Sequence, residues 1–129
     1  MLTGSCLCGG IRFEIGGPVT GIVQCHCSLC RKSSGTGSIA TLRVRAEQLR
    51  WLSGEDLVRT FARPSGYGTS FCAVCGSPAP DPDAARAHYG IPAGLLDGEP
   101  GLRVIEHIFV DSKAQWDVIP GDAPRHDTM

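Results

Sequence analysis

Large aromatic side chains are scarce in this sequence: Phe, Trp and Tyr together make up 6% of its residues. A chain so short of bulky side chains builds a shallow core and gains from a staple of another kind. Long apolar runs are missing as well. None approaches the roughly 20 residues needed to cross a bilayer, so no membrane-spanning helix is expected. Runs of Lys or Arg are absent and the formal net charge is −1, which leaves no electrostatic footprint for nucleic acid or an anionic membrane surface. The opening Met1-Leu2-Thr3-Gly4-Ser5-Cys6 has neither a cationic start nor an apolar stretch behind it, so no signal peptide is expected. The expected compartment is therefore the cytoplasm, where thiols stay reduced.

Hydrophobic residues, at 42%, give a globular composition, and 129 residues suit a single domain. Gly (17) and Pro (9) together form about a fifth of the chain, a turn-rich pattern. The regular pieces are short and extended. Ile11, Phe13 and Ile15 alternate with Arg12 and Glu14, the period of a half-buried strand. Val19–Cys25, Ile39–Val44 and Leu57–Ala62 are further expected strands, each bounded by Gly, Ser or Pro. Leu102–Val110 reads as a strand whose alternation slips near Val104-Ile105. Helix signals are weak: one or two turns over Ala46–Arg50, and a short turn from Ser28 through Lys32 with Ser28 as its cap. The four prolines of Pro78–Pro92 predict a surface loop with a helical turn at Asp83–Ala87. Pro120–Met129 predicts a loose tail. The expectation is a small, mainly β, single-domain fold over residues 1–119, with few helical turns and a C-terminal tail over 120–129.

Seven cysteines stand out against this spare background, in three clusters: Cys6-Leu7-Cys8, Cys25-His26-Cys27-Ser28-Leu29-Cys30 and Cys72-Ala73-Val74-Cys75-Gly76. An odd number of thiols in a reducing compartment points to metal rather than to disulfides. Zinc takes four ligands in a tetrahedron at about 2.3 Å from each thiolate sulfur. C-x-x-C turns two sulfurs toward one ion, and Gly76 suits the turn because it tolerates positive φ. C-x-C at the end of a strand puts both sulfurs on one face. One C-x-C plus one C-x-x-C thus completes a four-thiolate site, and the preferred allocation is Cys6, Cys8, Cys72 and Cys75 as a structural zinc that closes a long loop. Cys25, Cys27 and Cys30 then hold a second zinc with its fourth position open, the pattern of a catalytic site.

Spacing alone leaves other arrangements standing. The first and second clusters can also combine, and His107 or His88 can close the second site. His26, lying between two ligands that share a face, should point away from their ion. Buried structural thiols, a disulfide or redox module, and a four-thiolate iron centre complete the set of alternatives.

Three blocks, Gly4-Ser5-Cys6-Leu7-Cys8-Gly9-Gly10-Ile11-Arg12-Phe13, Cys25-His26-Cys27-Ser28-Leu29-Cys30-Arg31-Lys32-Ser33-Ser34-Gly35 and Phe71-Cys72-Ala73-Val74-Cys75-Gly76-Ser77-Pro78, resemble the cysteine blocks of the glutathione-dependent formaldehyde-activating enzyme family. Weaker echoes follow at Ala93–Asp97 and His107–Trp116. The resemblance implies a β-tent fold and two zinc ions, one structural on Cys6, Cys8, Cys72 and Cys75, one catalytic on Cys25, Cys27 and Cys30. It also implies a carbon–sulfur lyase that joins a thiol such as glutathione to formaldehyde. Gly68-Thr69-Ser70, where a basic residue is common, and Gly98 after Asp97, where a second Asp is frequent, depart from the pattern on the side of thiol recognition.

Three thiolates on Zn²⁺ make a site of net charge −1, suited to holding an added thiol as its thiolate. Arg31 and Lys32 are the expected partners of a substrate carboxylate, with Ser33, Ser34 and Gly35 as rim donors. For His26 and His107 the expected reading is a surface or core histidine, with proton shuttling as the alternative. Against the enzyme stands a second class, a non-catalytic, zinc-stabilised protein-interaction module. Fold cannot choose between the two; the number of ligands in the second cluster can.

Overall fold

The computed structural model describes residues 1–63 and 68–129. It is mainly β. In chain order its strands are Leu2–Ser5 (β1), Arg12–Ile15 (β2), Ile22–Cys25 (β3), Ile39–Arg45 (β4), Leu49–Ser53 (β5), Val58–Ala62 (β6), Gly68–Cys72 (β7), Asp81–Pro82 (β8), His88–Pro92 (β9) and Val104–Ile108 (β10). Among the described residues, one α-helix, Ser28–Ser34 (α1), and four single turns of 3-10 helix accompany them. The chain makes two compact units, Met1–Thr20 with Leu42–Gly101, and Gly21–Thr41 with Leu102–Met129.

The first unit holds the apolar core. β2 sits between β1 and β5, antiparallel to both. The alternation read from the sequence is the one observed: Ile11, Phe13 and Ile15 are buried, while Arg12 is exposed. Fully burying side chains of this size contributes about 1.5–3 kcal/mol each. Gly4 faces Phe13 in the ladder, and a Cβ there would collide with the Phe13 ring, so a residue without a side chain is required. Leu42 and Val44 from the end of β4 and Ile91 from β9 are buried as well. β6 and β7 pair over five residues each, from Val58 opposite Cys72 to Ala62 opposite Gly68.

Two expectations fail in this unit for identifiable reasons. Pro78–Pro92 is a strand ribbon rather than a loop: β8 pairs antiparallel with β9, Asp81 opposite Gly90 and Pro82 opposite Tyr89. Its Asp83–Ala87 connection is a turn, not a helix. The Asp83 carboxylate accepts the Ala87 N–H at 2.9 Å, and Asp83 N–H donates to the His88 carbonyl at 3.0 Å. An Asp side chain that bonds backbone a few residues on competes with helix formation. Of the one or two helical turns expected over Ala46–Arg50, one forms, the 3-10 turn Ala46–Gln48, after which the chain extends into β5. There the β-favouring Trp51 and pairing with β2 outweigh helix propensity.

The second unit is built differently. β10 runs parallel to β3, and β3 pairs antiparallel with the first residues of β4. The ladder shifts register between Val104 and Glu106, where the alternation of the sequence slips. Besides Gly21, its buried residues are Ala114, Ile119, His26 and His107. Half of the buried side chains there are imidazoles, so polar contacts carry weight that apolar packing carries in the first unit.

The expected loose tail over 120–129 is instead laid against β10 and the turn behind it. His107 N–H donates to the Pro124 carbonyl and His126 N–H to the His107 carbonyl, both at 2.8 Å; Phe109 and Val110 N–H reach the Thr128 and His126 carbonyls. Arg125 adds bonds to the Ile119 and Gly121 carbonyls. Strand edges take up any backbone that offers matching groups, a gain that the polar composition of this segment does not advertise.

Two glycines with left-handed backbones separate crowding from conformational strain. Gly35 caps α1 at φ 70° with open space around it, whereas Gly54, at φ 77°, points its missing Cβ at the Gly10 carbonyl. Gly35→Ala is expected to cost about 1–2 kcal/mol, the left-handed penalty alone. Gly54→Ala is expected to cost about 2–5 kcal/mol, because overpacking adds to it. Denaturant unfolding of the two variants measures the difference; equal costs would contradict the crowding at Gly54.

Candidate metal centres

The first cysteine group lies within the first unit, where β1 runs out into Cys6-Leu7-Cys8 and β7 into the Cys72–Cys75 turn. Each turn is closed by its own backbone: Gly9 N–H to the Cys6 carbonyl at 3.0 Å, and Gly76 N–H to the Cys72 carbonyl at 2.9 Å. Gly76 has φ 76°, the positive value that its spacing required. Leu7 N–H donates to the Ser77 hydroxyl at 2.9 Å and ties one turn to the other. The four sulfurs of Cys6, Cys8, Cys72 and Cys75 all lie within 4.8 Å of one another.

Backbone donors are aimed at these sulfurs, Ile11 N–H on Cys6 Sγ at 3.3 Å among them. The Ser77 hydroxyl lies 3.2 Å from Cys75 Sγ. Together with the Ser77 and Cys8 backbone N–H groups it pulls the Cys75 thiol down to about 5. Cys8 shows the opposing force. The Gly10 N–H lowers its thiol, but the Cys6 sulfur 3.5 Å away and burial push it up to about 11. One sulfur is prepared to ionise while a neighbour resists. A cation among four thiolates resolves that conflict, so the donor set fits a metal ion.

The second group lies in the second unit. β3 ends at Cys25, His26 N–H donates to the Ile108 carbonyl of β10 at 3.0 Å, and Cys27 opens α1. Cys27, not Ser28, is the N-cap: its sulfur accepts the Cys30 N–H at 3.3 Å. Three half-buried sulfurs, Cys25, Cys27 and Cys30, lie within 4.8 Å of one another, and no His, Asp or Glu of the described residues joins them. The Cys25 sulfur, burial and the Cys27 sulfur together push the Cys30 thiol far above its ordinary value. Thiols crowded in this way also fit a cation.

The residues expected around this group divide. Arg31 follows Cys30 on α1. Among the described residues it pairs with no carboxylate, and its Nε is buried without a hydrogen-bond partner. Lys32 is exposed. Ser33 and Ser34 turn their hydroxyls back to the Cys30 carbonyl, at 3.3 and 2.8 Å. His26 faces the interior, and its Nε2 lies 3.0 Å from Nδ1 of His107. Both rings are buried, and burial holds both below the usual histidine value. Neither belongs to the sulfur group. His88 lies in the other unit, with its Nδ1 3.4 Å from Asp83. Sequence reasoning missed Ser77, whose place directly after Gly76 was the available signal, and Asp117, whose Oδ2 is 4.0 Å from His26 Nδ1.

The family model described as glutathione-dependent formaldehyde-activating enzyme matches residues 1–112. A Halomonas elongata protein named as a glutathione-dependent formaldehyde-activating enzyme is 44% identical over 41 residues, 31% of this chain and 26% of that protein. The chain thus matches about a quarter of the length of this curated relative. A crystal structure of a Rhodobacter sphaeroides protein aligns over 95% of this chain and 98% of that one, with TM-score 0.64 and 20% identity, a likeness of fold.

Substitutions separate the two sulfur groups. Cys72→Ser removes a buried sulfur of the four-sulfur group and is expected to lower the thermal midpoint by about 10 °C or more. Cys27→Ser keeps a cap on α1, since serine also caps, and is expected to shift the midpoint by less than about 4 °C while one metal equivalent is lost. Thermal melts with elemental analysis of the purified proteins test this. A Cys27→Ser protein that retains its full metal content would contradict the grouping.

Proposed function

Since its residues 1–112 match the family model, this chain belongs to the glutathione-dependent formaldehyde-activating enzyme family, and on that footing we propose that it is a zinc-dependent enzyme of the carbon–sulfur lyase type. Its substrates are a small, carboxylate-bearing thiol resembling glutathione and a small aldehyde such as formaldehyde. The product is the S-hydroxymethyl adduct, formed or cleaved. In this reading Cys6, Cys8, Cys72 and Cys75 hold a structural zinc, and Cys25, Cys27 and Cys30 a catalytic one. The single observation that carries the reading is the second group: three sulfurs with no fourth ligand among the described residues.

A zinc ion held by three thiolates keeps a coordination position for an added thiol and stabilises it as thiolate. The chain's own residues bind and orient. Arg31, with no carboxylate partner among the described residues, pairs with a substrate carboxylate; Lys32 adds positive charge beside it. The Ser33 hydroxyl, at 3.3 Å from the Cys30 carbonyl, is the more weakly held of the two serines and turns outward at little cost to donate to the substrate. The chemistry balances without an oxidant. Thiolate sulfur adds to the aldehyde carbon, the C–S bond forms as the carbonyl pair moves to oxygen, and that oxygen takes a proton. The reverse breaks the C–S bond. His26 and His107 are buried against each other, so that proton comes from water at the half-exposed sulfur group. Seven cysteines without a disulfide accord with a reducing compartment, and we place the protein in the cytoplasm.

Titrating glutathione and then 2-mercaptoethanol into cobalt-substituted protein tests the reading. Both thiols are expected to shift the visible bands saturably. Arg31→Ala is expected to weaken glutathione about 10-fold or more, the worth of a charged hydrogen bond, and to leave 2-mercaptoethanol unchanged. Bands that no thiol moves would instead favour a non-catalytic, zinc-stabilised interaction module.

A further inference from the structure

His26 occupies an unusual place. It lies between two of the three sulfur-bearing residues, it is 2% exposed, and its Nδ1 has no hydrogen-bond partner. A buried ring nitrogen without a partner is costly. Its surroundings show what that nitrogen is for. On one side, His26 Nε2 meets His107 Nδ1 at 3.0 Å; on the other, the Asp117 carboxylate lies 4.0 Å from Nδ1.

One proton lies between the two rings, and the charge arrangement decides who gives it. If His26 donated through Nε2, its Nδ1 would be a bare lone pair facing a carboxylate. If His107 donates through Nδ1, His26 accepts at Nε2 and carries its hydrogen on Nδ1, toward Asp117. The second arrangement puts a donor before an acceptor, and one bridging water or a shift of about 1 Å completes the bond. Each end of this row is held by its own supports. His107 is opposite Gln24 in the parallel ladder, and the C-terminal segment grips its backbone on both N–H and carbonyl. Asp117 N–H donates to the Ala114 carbonyl, and Lys113 Nζ reaches the Asp117 carbonyl at 2.8 Å. Gly37 makes room for the carboxylate: a Cβ there would stand 2.5 Å from Asp117 Oδ2.

We propose that His107 and Asp117 are positioning residues for the three-sulfur group, clamping the His26 ring from both sides and so fixing the turn that presents Cys25 and Cys27. This rests on the reading that Cys25, Cys27 and Cys30 hold a metal ion. Partners that orient the groups around a metal typically set its affinity by 10–100-fold.

The test is cobalt titration of the whole protein, with the four-sulfur group as internal control. His107→Leu, which leaves His26 Nε2 without its donor, is expected to weaken the three-sulfur site about 10–100-fold and to shift its visible bands, with the four-sulfur site unchanged. His107→Asn, whose amide nitrogen stands near the place of Nδ1, is expected to restore affinity to within about 3-fold of wild type, well short of the full loss. Asp117→Asn and Gly37→Ala both disturb the carboxylate and are expected to weaken the same site alone. In wild type, long-range proton–nitrogen NMR is expected to show His26 protonated on Nδ1. Wild-type protein that takes one cobalt ion would overturn the metal reading, and this inference with it. Wild type that takes two, with His107→Leu and Asp117→Asn matching it at both sites or losing both sites equally, would overturn the inference alone. Should His107→Leu fail to fold, Asp117→Asn decides, since that side chain is partly exposed.

Discussion

Sulfur atoms that crowd one another cannot all carry charge unless something positive stands among them. That constraint shapes both halves of this molecule. In the first unit it falls where β1 and β7 end, and the opposite displacements of Cys75 and Cys8 are its electrostatic trace. In the second it falls at the end of β3, where Cys30 is pushed up by its neighbours. Much of the surrounding backbone serves these groups: Gly76 at positive φ, Ser77 between two turns, and Cys27 as member of the sulfur group and helix cap at once.

The two groups stand on different foundations. Ile11, Phe13, Ile15, Leu42, Val44 and Ile91 give the first unit an apolar interior. The second unit buries Ala114 and Ile119 and otherwise relies on two histidines and on main-chain bonds. Hydrogen bonds give the second sulfur group supports with defined directions, which apolar contacts lack.

What was legible in the sequence was whatever a period or a spacing encodes. The alternation of Ile11 to Ile15, the slip near Val104, the C-x-C and C-x-x-C turns and the turning of His26 away from the sulfurs follow from rules that act within a few residues. Pro78–Pro92 defeated such rules because its prolines read as loop, whereas the ribbon there is set by pairing of β8 with β9 and by the Asp83 side chain. The segment over 120–129 defeated them for a related reason: its order comes from an edge of β10, more than ten residues away. The His26–His107 contact joins residues 81 positions apart, and only the parallel pairing of β10 with β3 brings them together. Asp117 carried no pattern at all.

That parallel pairing also imposes an order on synthesis. Cys25, Cys27 and Cys30 leave the ribosome well before β10 and the residues that grip it. The four-sulfur group, complete once Cys75 has emerged, can close while translation continues. Non-local contacts of this kind are slow to form, so the three-sulfur turn must wait for β10 before its support is complete. The three-sulfur group is thus the later of the two to gain its full set of contacts.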